Sequence, residues 1–203
     1  MNKEEQLLLN IIEEVTRRYK EILKEHTILL KQIEKKANED PLTGLFNRQF
    51  FIEKVHSLLK NNFHICIVFL DLDNFKYVND TYGHEIGDKI LLEFTRILKS
   101  FFKGKDIIAR IGGDEFVVAM IDCNKEEINS VLYKLLNEVK EHFKFYNVTT
   151  SIGVTFAPDE SKNLKELLKI ADKRMYLVKK TGKNGFAIDE ENVFFIENIN
   201  KAK

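Results

Sequence analysis

The 203-residue sequence predicts a mixed α/β (α+β) fold, in which one long helix precedes a sheet of about five strands covered by helices. Three observations predict this fold class. Residues 1–37 contain neither glycine nor proline, as is typical of an uninterrupted helix. From residue 47 onward, short apolar runs alternate with segments of helical periodicity. Gly112 and Gly113 stand between two apolar runs and predict a β-hairpin, since both glycines can take a positive φ.

The first helix carries an apolar stripe whose members recur in alternating steps of four and three residues. These residues are Leu8, Ile12, Val15, Tyr19, Ile22, Leu29 and Ile33. The stripe predicts a coiled-coil seam that pairs with a second copy of the chain, and His26 occupies the remaining seam position as a tolerated polar residue. The alternative is a helix that packs on its own domain.

Asp40-Pro41 ends this helix, because the residue before a proline is driven out of the α region. Apolar runs then predict strands, and segments with a period of 3.6 residues predict helices. In chain order we expect a helix over 47–60, a strand over 64–70, a helical loop over 75–82, a helix over 86–102, strands over 106–111 and 115–121, a helix over 125–142, a strand over 146–156, a helix over 163–180 and a strand over 185–189.

Three segments follow from these elements: a helical stalk over 1–38, an α/β domain over 39–188 and an extension over 189–203. Residues 193–196 of the extension are apolar and can add an edge strand or cover the domain. Asp40, Thr43, Asn47 and Arg48 are expected to brace the joint between stalk and domain.

The composition predicts a folded protein, with 44% hydrophobic and 32% charged residues. The 32 basic and 32 acidic side chains cancel, which argues against a chain that coats nucleic acid or an anionic membrane. Cys66 and Cys123 form neither a zinc motif nor a disulfide framework, so we expect a reduced, cytoplasmic protein. No secretion signal is expected, and the longest apolar run, 65–70, is far shorter than the ~20 residues of a membrane span.

Two acidic clusters follow or precede buried strands. Asp71, Leu72 and Asp73 end the strand that begins at residue 64, and Asp114 and Glu115 lie in the hairpin. Carboxylate oxygens are ligands that Mg²⁺ prefers, and Mg²⁺ completes its shell with phosphates and water. The alternative is that these acids are solvated turn residues.

Four blocks of the sequence, in order from about residue 39 to 186, resemble the motifs of GGDEF-type diguanylate cyclases. The signature block is Arg110–Phe116, and the others are Asp40–Arg48, Asp71–Asp88 and Ala171–Asn184. The resemblance implies a palm-like nucleotidyl-cyclase sheet and an enzyme that condenses two GTP into cyclic di-GMP with release of pyrophosphate. It implies one GTP per domain and two domains facing each other in an antiparallel homodimer, which the amino-terminal helix would hold together. An upstream sensor or response-regulator partner is compatible with such a stalk; nucleic acid is not an expected partner.

The resemblance also assigns roles to the acids and to one lysine. Asp71, Asp114 and Glu115, with the Leu72 carbonyl, would bind two Mg²⁺ or Mn²⁺ ions per active site. Asp114 would in addition assist deprotonation of the attacking hydroxyl, and Lys76 would stabilise charge on the transferred phosphate. The alternative for Lys76 is a solvated loop lysine.

Further residues of the same motifs would bind the nucleotide. Asn79 and Asp88 would read the guanine edge, since an amide and a carboxylate match its carbonyl, ring N–H and amine; the alternatives are a turn residue and a first-turn helix acid. The other substrate-binding positions implied are Phe75, Gly112, Gly113, Lys179 and Lys183. Lys183 stands where the motif usually carries arginine. The planar guanidinium of arginine binds phosphate through two hydrogen bonds, so we expect Lys183 to bind the phosphates more weakly.

A second departure concerns regulation. Many members of the family carry an Arg-x-x-Asp inhibitory site, and the corresponding residues here are Lys103 and Asp106. Lysine cannot reproduce the bidentate contacts of arginine, so product feedback is expected to be weak or absent. A second hypothesis for the whole chain is a catalytically silent GGDEF domain that binds GTP or cyclic di-GMP and signals through partner contacts. A third, a purely structural adaptor, leaves the acidic clusters without a purpose.

Overall fold

The computed structural model describes residues 3–102 and 104–196. It divides the chain into two compact units, with the boundary between Asn38 and Glu39. The helices of the described residues are α1 Lys3–Asn38, α2 Arg48–Lys60, α3 Phe75–Tyr82, α4 His84–Phe101, α5 Lys125–His142 and α6 Leu164–Thr181, with a 3-10 turn at Lys144–Tyr146.

The first unit is α1 alone. Glu4 and Glu5 occupy its first turn and Lys35 and Lys36 its last, so charges oppose the helix dipole at both ends. Every residue of the predicted seam other than His26 is more than half exposed in the single chain. The helix therefore presents an apolar stripe to the solvent, and within the described part of the chain no helix is both long and apolar enough to cross a bilayer.

The second unit is built on one mixed sheet with the strand order β1-β3-β4-β2-β5-β6-β7. The strands are β1 Phe46–Asn47, β2 Ile65–Asp73, β3 Ile107–Arg110, β4 Glu115–Ile121, β5 Thr149–Ala157, β6 Gly185–Ala187 and β7 Val193–Phe195. The central strand β2 pairs antiparallel with both β4 and β5 and is buried along its whole length. A strand buried on both faces is apolar throughout, which explains the run Ile65–Leu70.

Helices cover both faces of this sheet. Leu70, Phe116 and Phe186 pack with α4 and α5 on one face, and Ile67 and Val117 pack with α2 and α6 on the other. Side chains alternate along each strand, so successive residues of β2 belong to different cores. This alternation places Asp71 and Asp73 on the same face as Phe69, the face that α6 covers.

The predicted fold class is confirmed, and the structure corrects its details. The sheet has seven strands in the described residues where about five were expected, because β1 and β7 are too short to show a period of two. The fifth strand begins at Thr149 and not at residue 146, since Lys144–Tyr146 form the 3-10 turn and Asn147 is left-handed with φ 53°. Three helices begin after an asparagine whose side chain accepts a backbone N–H, at Asn47, Asn124 and Asn163.

Candidate functional site

The two acidic clusters meet at one end of the sheet. Asp71 on β2 is the register partner of Glu115 on β4, and the Leu72 N–H donates to the Asp114 carbonyl at 3.2 Å. Because β2 and β4 are antiparallel, the end of one strand and the start of the other coincide. The structure thus gathers the sequence-predicted acids Asp71, Asp114 and Glu115 around a single strand pair.

Asp71 is a buried carboxylate with too little positive charge around it. Burial is the main reason why the pKa of Asp71 rises to about 6, and the neighbouring charges of Asp114 and Asp73 add to the rise. Lys179 on α6 opposes it, with its Nζ 2.5 Å from Asp71 Oδ1. These atoms are close enough for an ion pair, but Oδ1 has no aligned hydrogen bond among the described residues, so the contact is electrostatic. A further cation beside these carboxylates would favour their ionised forms.

The hairpin between β3 and β4 uses its two glycines in different ways. Both glycines can take a positive φ, but neither is left-handed in this turn. A Cβ built on Gly112 would lie 2.3 Å from Glu115 Oε2, whereas one on Gly113 would meet nothing within 4 Å. Gly112 therefore makes room for the Glu115 carboxylate, and Gly113 leaves the outer surface of the turn open.

Arg110 fixes this turn to the start of the domain. Its guanidinium donates to the Gly113 carbonyl at 2.7 Å and to Asp40 Oδ1 at 3.1 Å. Asp40 also accepts from the Thr43 hydroxyl and N–H, at 2.6 and 2.8 Å. Burial alone would raise the pKa of Asp40, but the bonds from Thr43 and Arg110 outweigh it and the pKa lies below its ordinary value. Sequence reasoning missed that Asp40 and Arg110 hold the signature turn.

Asn79 and Asp88 come from neighbouring helices. Asn79 on α3 packs against α4 so closely that a Cβ on Gly87 would lie 1.9 Å from Asn79 Oδ1. That buried oxygen has no hydrogen-bond partner among the described residues. Asp88 follows Gly87 and is exposed. The glycine brings an unsatisfied amide and an exposed carboxylate to adjacent positions, an arrangement suited to a planar ligand edge with both donors and acceptors.

Phe75 was predicted among the substrate-binding positions, but its side chain is 7% exposed and belongs to the core. Its ring lies beneath Gly87, where an added Cβ would be 3.3 Å from Phe75 Cζ. The substrate contact predicted for Phe75 would therefore come from its backbone. The ring instead sets the packing of α3 on α4.

The three predicted lysines differ in their surroundings. Lys76 on α3 is exposed. Lys179 is engaged by Asp71, and Lys183 donates from Nζ to Asn74 Oδ1 at 2.8 Å. Lys183 and Asn74 both have a left-handed backbone, with φ of 62° and 64°. The structure therefore brings two of the three lysines to the acidic end of β2.

Asp73 is a structural residue that the sequence could not assign. Its carboxylate accepts from Ser151 Oγ and Thr149 Oγ1, each at 2.8 Å, and from the Asn184 N–H at 3.1 Å. All three donors are distant in sequence, so no local pattern reveals the arrangement. Asp73 ties β5 and the loop after α6 to the end of β2.

The donor set at this end of the sheet fits a divalent cation that takes few protein ligands. The described residues contain no group of three or more His, Cys, Asp or Glu side chains that could hold a metal ion unaided. Burial raises the pKa of Asp71, and Lys179 offsets only part of that rise, so a further cation would stabilise the carboxylate. Mg²⁺ is commonly held by one or two carboxylates together with substrate phosphates, which matches this set.

Two adjoining cavities lie between α2 and α6. The larger, about 780 Å³, is lined by Arg48, Ile52, His56 and the segment 161–165 with Leu168, and none of the predicted site residues reaches it. The smaller, about 340 Å³, extends to Glu115. The chemistry of the side chains, and not cavity size, therefore locates the candidate site.

The predicted inhibitory pair cannot be located as a pair, because Lys103 lies outside the described residues. Asp106 is half-buried just before β3 and has interaction partners.

A protein-family model described as "Diguanylate cyclase, GGDEF domain" matches residues 37–185. The chain is 32% identical over 157 residues to the probable diguanylate cyclase DgcT of Escherichia coli, covering 73% of this chain and 35% of that protein. It is 35% identical over 169 residues to the cyclic di-GMP phosphodiesterase PdeB of Shewanella oneidensis, covering 81% of this chain and 20% of that protein. The chain spans about a sixth to a half of the length of the first curated relatives it matches.

Solved structures show the same architecture. The coiled coil and GGDEF domain of DgcB from Caulobacter crescentus, in complex with c-di-GMP, aligns with a TM-score of 0.71 at 27% identity, covering 92% of this chain and 99% of that one. The diguanylate cyclase SiaD from Pseudomonas aeruginosa, in complex with its activator SiaC, aligns with a TM-score of 0.66 at 26% identity, covering 91% of this chain and 74% of that one.

Proposed function

This chain belongs to the GGDEF diguanylate cyclase domain family, and we propose that it is an active diguanylate cyclase that condenses two GTP into cyclic di-GMP and releases pyrophosphate. The observation that carries the proposal is the meeting of Asp71, Asp114 and Glu115 at one end of β2, beside Lys179. A silent domain has no need to keep a buried, under-compensated carboxylate at this point.

The acids would hold two Mg²⁺ or Mn²⁺ ions, with Asp71, Asp114 and Glu115 as carboxylate ligands and the Leu72 carbonyl as a fourth donor. Bound there, divalent ions neutralise phosphate charge and lower the pKa of the attacking 3′-hydroxyl. Gly112 supports this role because its missing side chain leaves the space in which the Glu115 carboxylate lies. Asp114 sits in the open turn, where its carboxylate can accept the hydroxyl proton.

The lysines would bind and orient the triphosphate. Lys179, whose ammonium lies against Asp71, would contact a phosphate oxygen at this end of the sheet. Lys183 reaches the same end of the sheet, and exposed Lys76 stabilises charge on the transferred phosphate.

Asn79 and Asp88 would select guanine. The Asp88 carboxylate accepts from the ring N–H and the exocyclic amine, and adenine does not present that pair of donors. The unsatisfied Asn79 amide oxygen fits a ligand donor at the same edge. GTP is therefore the proposed substrate in preference to ATP.

Condensation needs two GTP-loaded domains, so we propose a homodimer formed through the apolar stripe of α1. Each domain would bind one GTP, and the antiparallel partner would supply the other. The structure of DgcB, which contains a coiled coil as well as a GGDEF domain, supports this arrangement by covering 92% of the chain.

The alternative is a silent GGDEF domain that binds GTP or cyclic di-GMP as an interaction module. Two observations favour it. Lys183 stands where the motif usually carries arginine, and its ammonium donates a hydrogen bond to Asn74 Oδ1. The curated relatives also include a phosphodiesterase.

The purified chain, incubated with GTP and Mg²⁺, is expected to release pyrophosphate and form cyclic di-GMP. Asp114→Ala should abolish the product. Asp159→Asn is the matched control, because Asp159 is an exposed acid beyond the opposite end of β5 and should leave turnover unchanged. GTP binding without turnover, at concentrations where the chain is dimeric, would instead support the silent domain.

A further inference from the structure

The carboxy-terminal strand β7 lies beyond the residues that the family model matches, which end at 185. It pairs antiparallel with β6, in the register Gly185↔Phe195 and Ala187↔Val193. β6 directly follows the loop 182–184, which connects it to α6. Residues outside the family match are thus placed against the loop that carries Lys183.

The two faces of β7 make different contacts. Phe194 stacks on Phe186 with ring centroids 4.9 Å apart, and Ile196 is buried in the same core. Phe195 points to the opposite face, because successive residues of a strand alternate. Phe194 and Ile196 therefore anchor the strand in this core, and Phe195 makes its contacts on the other face of the sheet.

The loop itself has an uncommon backbone. Lys183 and Asn184 are successive non-glycine residues with φ of 62° and 50°. Such conformations persist only where the surroundings hold them. Two hydrogen bonds from backbone N–H groups contribute. Lys183 N–H donates to the Val178 carbonyl at 2.9 Å, and Asn184 N–H donates to the Asp73 side-chain Oδ2 at 3.1 Å.

The Phe195 ring lies against the glycines on both sides of this left-handed pair. A Cβ on Gly182 would have ring carbons of Phe195 at 3.3, 3.7 and 3.8 Å. A Cβ on Gly185 would lie 2.9 Å from Phe195 Cδ1 and 2.5 Å from the Phe194 carbonyl oxygen. The two glycines leave the surface on which the ring packs, and the ring closes the loop from its outer side.

We propose that β7 braces the phosphate-binding loop and that Phe195 is a positioning residue for Lys183. Asp73 and Asn74 hold the loop from the side of β2, and Phe195 holds it from the side of β7. The bracing is a property of the fold, whereas its effect on triphosphate binding rests on the proposed function. Without the ring, the loop leaves its left-handed conformation more often and presents Lys183 to phosphate for less of the time.

Phe195→Ala, Phe195→Leu and the matched control Val193→Ala test this proposal in the full-length chain. Val193 shares a strand and a face with Phe195 but lies opposite Ala187, two residues after Gly185. Amide hydrogen exchange is measured at Lys183 and Asn184, where no ligand is needed. In Phe195→Ala we expect protection at both amides to fall about tenfold, the factor given by 1.4 kcal/mol, while Val193→Ala keeps it and Phe195→Leu recovers most of it.

Pyrophosphate and GTP binding are then measured by calorimetry with the same variants. Phe195→Ala should weaken both by a similar factor, and in turnover it should raise KM for GTP more than it lowers kcat. Unchanged amide exchange at Lys183 and Asn184 in Phe195→Ala would overturn the bracing role of β7. An equal loss of protection in Val193→Ala would also overturn it, because it would indicate that the whole strand had loosened.

The two proposals fail separately. A wild-type chain that binds pyrophosphate without making cyclic di-GMP refutes the cyclase and leaves the bracing role supported if the exchange and binding results hold. Faster exchange in Phe195→Ala with unchanged pyrophosphate affinity refutes the positioning of Lys183, and the cyclase proposal stands.

Discussion

At the scale of single residues, the site is a balance between buried acids and the lysines that face them. Burial first, and then the charges of Asp114 and Asp73, raise the pKa of Asp71 to about 6. Lys179 offsets only part of this rise. Lys183 donates a hydrogen bond to Asn74. At this position a guanidinium could bind a phosphate through two donors, which a single ammonium cannot do in the same way. Small changes to these side chains should therefore change substrate binding before they change the fold.

Lys183→Arg should strengthen GTP binding. A guanidinium can contact a phosphate with two parallel hydrogen bonds, whereas the ammonium is a point charge. We expect KM for GTP to fall about fivefold, equivalent to roughly 1 kcal/mol. Steady-state kinetics measure the effect, with Lys180→Arg, an exposed lysine three residues earlier, as the control. A KM equal in both variants would contradict the assignment of Lys183 to phosphate.

Asp40→Asn should destabilise the domain in a pH-dependent way. The folded-state pKa of Asp40 lies below its ordinary value of 3.8, because the hydrogen bonds from Thr43 and Arg110 outweigh burial. Its ionised form therefore stabilises the fold at neutral pH, and this contribution is lost as pH falls below about 4. Urea unfolding at pH 7 should show that the variant's free energy of unfolding is lower than the wild type's by about 1–2 kcal/mol, and this difference should shrink towards pH 3. A difference that stays constant across this pH range would contradict the role of the charge.

At the scale of elements, the sequence located the long units well. Helical periodicity and apolar runs placed α5 at 125–142 and β4 at 115–121, as observed. The short strands β1 and β7 escaped a firm prediction because two or three residues show no period. The role of Asp73 escaped because its partners on β5 and in the loop after α6 are brought to it only by the sheet.

The hairpin shows that a motif can be recognised while one physical property of its residues goes unused. Its glycines can take a positive φ, but neither does, and Gly112 instead supplies space. Gly112→Ala should displace the Glu115 carboxylate and weaken Mn²⁺ binding about tenfold, as removal of support for a metal ligand commonly does. Gly113→Ala, whose Cβ meets nothing, should keep the Mn²⁺ affinity and serves as the control in a calorimetric titration. Equal losses in the two variants would indicate that the turn as a whole was disturbed.

At the scale of the whole molecule, the equal numbers of acidic and basic residues conceal a local arrangement: acids and lysines meet at one end of the sheet. The chain also carries, in α1, an apolar stripe that a single copy leaves exposed. Because the proposed reaction joins two GTP bound to two domains, we expect that stripe to link assembly to activity.

Ile22→Glu should therefore lower activity on dilution by placing a charge in the seam of α1, where Ile22 is 62% exposed in the single chain. Thr16→Glu adds the same charge outside the seam and is the control. Sedimentation should show a shift towards monomer only for Ile22→Glu, with a matching loss of turnover at low protein concentration. Turnover that stays proportional to protein concentration in this variant would exclude a dimerising role for α1. Deleting residues 1–37 should act in the same direction.

The most direct test of the central claim is the ratio of products formed by the wild-type chain from GTP and Mg²⁺ at a concentration where it is dimeric. Condensation of two GTP predicts two pyrophosphates for each cyclic di-GMP, measured together by an enzyme-coupled pyrophosphate assay and chromatography. Bound GTP with neither product released would contradict the account.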